Sequence, residues 1–156
     1  MKTKPTIPML ALLAVVSAGA IASGASAAGH TSTLVIRHQL HGCHSWSANG
    51  DHYNARQAIK LTRGGSINVT NNDVMPHKLI ETSGPAAVIT RLEVGTGMGM
   101  KGMMPPAMLA RMGSSSRMTF NKPGIYKFTT RAGEDYMSGV KTIGEDNVLR
   151  LTVSVN

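Results

Sequence analysis

The stretch "HGCHSWS", residues 41–47, holds the single cysteine of the chain, Cys43, between His41 and His44, with the single tryptophan, Trp46, two residues further on. A thiol flanked by imidazoles is a soft donor set. Thiolate with imidazole suits copper or zinc, and a trigonal pair of imidazoles and one thiolate with a weak axial group is a copper electron-transfer geometry. In extended backbone His41 and Cys43, two positions apart, project to one side. Gly42 would equally permit a turn, and His44 then takes the place of His41. Two plainer readings stand beside the ligand reading. A free thiol can be a small buried hydrophobe, or it can pair between chains, because one cysteine excludes a disulfide within the chain.

A second soft donor set follows in "GMGMKGMM", 97–104, where Met98, Met100, Met103 and Met104 lie among glycines. Thioether sulfur prefers Cu(I), so the segment reads as a copper-handling stretch. The alternative is an adaptable apolar lid over one end of the domain. Elsewhere there is no phosphate loop, no paired acids and no Ser/His/Asp arrangement in recognisable context.

The compartment agrees with a metal-binding thiol. Lys2 and Lys4 precede an apolar run, and "ASA" at Ala25 to Ala27 has small residues at the cleavage positions. This pattern is a secretory signal. The expected organisation is a leader over 1–27 and one domain over 28–156, exported to the periplasm or the extracellular space. No later segment is long and apolar enough to span a bilayer. Formal charge is +8, and losing the two leader lysines leaves +6. The remaining cations are scattered singly, and aromatic residues make up only 4%. That argues against nucleic acid as a partner and for a solvated surface with weak affinity for anions.

The elements that must position these residues read as strands. "STLVIRHQL" alternates, with Leu34, Ile36, His38 and Leu40 on one face, which makes His38 a core histidine. "QAIKLTRGGSINV" reads as a hairpin about Gly64-Gly65, with Ile59/Leu61 and Ile67/Val69 buried. "HKLIET" is a strand closed by Ser83-Gly84-Pro85. Met118/Phe120 and Tyr126/Phe128 alternate about a turn at 121–124, and "NVLRLTVSV" puts Leu149, Leu151, Val153 and Val155 on one face. His52 falls in an exposed loop. The middle is irregular and rich in Met and Gly, and "PPAMLARM" has room for two helical turns, since Pro is tolerated at a helix start. Many short strands with turn signals argue an all-β sandwich or barrel.

The order of these pieces resembles the cupredoxin (blue-copper) family. The matching pieces are "KLTRGGSINVTNND", the corner "NNDVMPH" and the late strand "PGIYKFTT", within a likeness that covers most of 32–155. The resemblance implies a Greek-key β-sandwich and one copper ion, with His77 as the corner ligand. The family's cysteine, counted from Gly124, falls on Thr130. Met137 is left as a weak sulfur ligand and Glu134 as a weak carboxylate one, unless Glu134 belongs to a solvated turn at Gly133. No histidine follows His77.

The two missing ligand types, a thiolate and a further imidazole, both occur in "HGCHSWS". The expectation is a site moved rather than lost, built from Cys43, His77 and His41 or His44. The implied function is electron transfer or copper trafficking, with a redox or copper-transfer protein as partner. Two alternatives differ in class. One is a metal-free sandwich used as a structural or adhesion module. The other is a copper monooxygenase-like protein whose N-terminal clamp is His30, which requires cleavage after Gly29.

Overall fold

The computed structural model describes residues 29–38, 44–95, 104–132 and 148–156. Period-two burial is visible strand by strand. In β1 (Thr31–His38) Ser32, Leu34 and Ile36 are buried while their neighbours are not. In β10 (Val148–Val155) Leu149, Leu151, Val153 and Val155 are buried. Such alternation demands one wet face and one dry one, and two sheets supply it.

The first sheet has the order β2 (His44–Ala48), β1, β4 (Ser66–Asn72), β8 (Ser114–Thr119), β6 (Val88–Val94). The second has β3 (Arg56–Leu61), β10, β9 (Gly124–Ala132), β5 (His77–Ser83), β7 (Met108–Leu109). Both sheets are mixed, because β1 runs parallel to β4 and β3 parallel to β10. Between them lies a single core that contains Trp46, Ile67, Met118, Phe120, Tyr126 and Phe128. Phe120 meets Tyr126 edge-on at 4.9 Å, a favoured ring geometry. The Tyr126 hydroxyl donates to the Lys122 carbonyl at 2.7 Å, which satisfies it and ties down the turn before its own strand. The fold class expected from the sequence, an all-β sandwich, is the one observed.

Three local expectations are corrected. The Gly64-Gly65 segment does not close a hairpin. Ile59 and Leu61 belong to the second sheet, Ile67 and Val69 to the first, so the chain changes walls of the core at 62–65. Gly64 takes φ +80° there and donates to the Phe120 carbonyl. "PPAMLARM" forms no helix. Its Met108 N–H closes one turn onto the Pro105 carbonyl, and Met108 and Leu109 then pair with Lys78 and His77 as a short strand. Sheet hydrogen bonding and the burial of Leu109 win over helix propensity. His38 is exposed and not in the core; it is the last residue of β1 and lies beyond that strand's final pair with β4, Arg37 with Asn72.

One glycine position is a direct test of the fold. Gly84 sits at φ +119°, and a Cβ there would lie 2.7 Å from the Ile125 carbonyl oxygen. Gly84→Ala is expected to cost about 1–3 kcal/mol, read as a lowered urea midpoint at unchanged m-value.

Candidate metal centre

The corner "NNDVMPH" carries the chain from the end of β4 to the start of β5, and its side chains build it. Asn71 Oδ1 accepts the Asp73 N–H at 2.9 Å, and Asn71 Nδ2 donates to the carbonyls of Met75 (2.8 Å) and Leu109 (3.1 Å). Asp73 Oδ1 accepts the Met75 N–H at 3.0 Å. Short Asn and Asp side chains bond their own backbone two residues on, so these are turn-forming contacts. Pro76 has no N–H to satisfy and holds Met75 out of helical geometry. The corner therefore delivers His77 to the start of β5 in one orientation.

His77 is 1% exposed and Asp73 0%. Asp73 Oδ2 lies 3.2 Å from His77 Nε2. On the other side of the ring, Nδ1 lies 3.3 Å from Thr130 Oγ1. A carboxylate at Nε2 favours the proton on that nitrogen and leaves the Nδ1 lone pair facing β9. A carboxylate on one nitrogen is also how metal-ligating histidines are commonly oriented. Thr130, the residue that the count from Gly124 puts at the family's cysteine position, is thus the residue opposite the corner histidine. The fold that brings them together is an all-β sandwich of two mixed sheets.

The donor set at this point does not fit that family's copper centre, because an uncharged hydroxyl stands where a thiolate is required. Among the described residues no three His, Cys, Asp or Glu side chains come together as a metal-holding group. Of the candidate ligands, His77 is placed as above. His44 opens β2, its backbone paired with His38. His41 and Cys43, then Met98, Met100 and Met103, then Glu134 and Met137, lie outside the described residues. Met104 is described and is 43% exposed. Asp73 was missed as a partner of His77. The Asp-x-x-x-His spacing inside a Pro-containing corner was the available signal.

What the backbone does establish is where those segments are attached. Arg37 of β1 pairs with Asn72 of β4, so both strands end together, and β2 begins beside them. Val94 at the end of β6 pairs with Ser114 at the start of β8, which adjoins β4 near Thr70. In the other sheet Ala132 at the end of β9 pairs with His77, and Val148 pairs with Arg131. The strand ends flanking 39–43, 96–103 and 133–147 therefore all lie at the end of the sandwich that the His77 corner closes.

No protein-family model matches the sequence, and no curated protein matches it. Solved structures of similar shape include a heme-copper terminal oxidase dimer, at 13% identity over 81% of this chain and 65% of that one, TM-score 0.38. A cysteine protease inhibitor from Entamoeba histolytica matches at 9% identity over 81% and 98%, TM-score 0.41. A purple cupredoxin from Nitrosopumilus maritimus matches at 18% identity over 78% and 98%, TM-score 0.35. The chain spans about two thirds of the oxidase chain. Copper and protease inhibition are properties of those proteins.

Proposed function

We propose that this protein is an exported copper-binding sandwich that carries copper or electrons, with its metal site moved to the segment around Cys43. One observation supports this reading above the others: the strand ends that flank every soft-donor segment of the chain lie at the end occupied by His77. In this reading Cys43, His77 and one of His41 and His44 hold the ion. Copper bound there would supply one-electron chemistry, and thiolate with imidazole is a donor set it accepts. The chain's own contribution is positional. Asp73 holds the His77 ring in one orientation, and the packed strand ends keep the site on a rigid frame. Met98, Met100, Met103 and Met104 would serve Cu(I) exchange.

The deciding experiment is the visible spectrum of the purified protein with one equivalent of Cu(II). A sulfur-to-copper charge-transfer band that disappears in Cys43→Ser is the expected result. Affinity should fall as pH drops, because the thiol must lose its proton to bind. A colourless protein whose melting temperature ignores copper overturns the reading, since a ligand specific to the native state raises that temperature.

A second reading has its own observation. Both nitrogens of His77 already have protein partners, Asp73 and Thr130. A sandwich that has exchanged its metal for a buried hydrogen-bonded triad would look like this, and it predicts no copper-dependent stabilisation.

A further inference from the structure

Cations that sequence order keeps apart gather on one face of the molecule. In the second sheet the positions that point away from the core carry Arg56 and Lys60 on β3, Arg150 on β10, Lys127 on β9 and Lys78 on β5, all exposed. Among the described residues no Asp or Glu lies on that face, and none of the five cations makes an ion pair.

Arg56 and Arg150 stand directly opposite each other on neighbouring parallel strands, about 5 Å apart at the backbone. Lys127 is paired with Thr152, one outward position along from Arg150. The three cations line an open cleft of about 600 Å³ together with the threonines at 82, 129 and 152. The Thr129 hydroxyl there is buried and has no hydrogen-bond partner among the described residues. Like charges directly across from each other destabilise a sheet. A bound anion would relieve that repulsion.

We propose that this cleft binds a phosphate-bearing anion, gripped by the Arg56 and Arg150 guanidinium forks with Lys127 as a third charge. A guanidinium presents two parallel donors that match a pair of phosphate oxygens. Three clustered cations exceed what one carboxylate neutralises, whereas a phosphate group carries about −1.5 to −2 near neutral pH. The cleft opens on the outer side of the sheet, opposite to the inward-facing His77, so the proposal stands or falls independently of copper.

The test is titration of the metal-free protein with pyrophosphate at ionic strength matched by chloride, followed by isothermal calorimetry and by amide chemical shifts. Saturable binding is expected, with shifts confined to β3, β9 and β10. At about 100-fold excess over Kd the melting temperature should rise by several degrees. The double variant Arg56→Gln/Arg150→Gln should lose at least about tenfold in affinity, as charge-assisted bonds are removed. Without ligand it should melt at or above the parent's temperature, because the opposed charges are gone. Vesicles of phosphatidylglycerol separate the sources. Vesicle binding lost in the double variant identifies a lipid headgroup, and pyrophosphate binding without vesicle binding identifies a soluble phosphate. Absence of saturable pyrophosphate binding, or binding that the double variant retains in full, overturns the proposal.

Discussion

Asp73→Ala lowers the stability of the metal-free protein by about 3–5 kcal/mol, the range for removing one partner of a buried charged contact. The reason lies in what the carboxylate holds. Its two oxygens take the Met75 N–H and the His77 ring nitrogen at 3.0 and 3.2 Å. All of this happens where Asp73 and His77 are 0% and 1% exposed. Truncation leaves two donors without water to replace the loss, and each stranded donor costs about 1–3 kcal/mol. Asp73→Asn keeps an oxygen for the Met75 N–H and is expected to cost about half as much. Thr130→Val removes only the 3.3 Å contact and should cost about 1 kcal/mol. Urea denaturation followed by circular dichroism measures all three. Equal, small losses in Asp73→Ala and Thr130→Val would mean that the corner does not depend on the carboxylate.

Trp46→Ala is expected to cost about 3–5 kcal/mol, the range for deleting a large buried aromatic side chain. Trp46 is 0% exposed and belongs to the core although it sits on β2, at the margin of the first sheet. Its backbone carbonyl accepts from Gln57 Nε2 at 2.8 Å, which ties down the backbone from which the ring projects. Its indole Nε1–H, however, is buried with no hydrogen-bond partner among the described residues. An unpaired buried donor is a standing cost. Trp46→Phe removes that donor together with part of the ring, and the two effects oppose each other. The expected loss is about 1 kcal/mol, well below that of Trp46→Ala. If Trp46→Phe proves as damaging as Trp46→Ala, the indole N–H has a partner that matters. The native protein should also show the blue-shifted emission of a fully buried indole, since Trp46 is its single tryptophan.

The candidate site was legible in parts. The corner "NNDVMPH" singled out His77, and counting from Gly124 put Thr130 at the cysteine position of the cupredoxin pattern. Both rest on the resemblance, whose motifs are spacings within short stretches; that Thr130 faces His77 came from the structure. Asp73 was not legible as the ring's partner. A carboxylate in a turn usually bonds backbone, and only the tertiary arrangement turns its second oxygen toward His77. The 53-residue separation of His77 and Thr130 is spanned by sheet pairing between β5 and β9, which no local pattern encodes.

The sequence by itself determined which face of each strand is dry. Leu34/Ile36, Ile67/Val69, Tyr126/Phe128 and Leu149 to Val155 are buried as their alternation requires, because side chains on a strand have a period of two whatever its neighbours are. It did not determine which sheet a strand joins. "QAIKLTRGGSINV" has the pattern of a hairpin, yet β3 and β4 line opposite walls of the core, since alternation is the same for a strand paired with its sequence neighbour and one paired across the molecule. His38 continued the apolar register of β1 on paper and is exposed in space, at the strand's last residue and beyond its final pair with β4. The same ignorance hid the charged face. Arg56, Lys127 and Arg150 are isolated cations in three separate strands, and the order β3-β10-β9 makes them neighbours. A pattern fixes direction within one strand, and only the packing of strands against one another decides which residues share a surface.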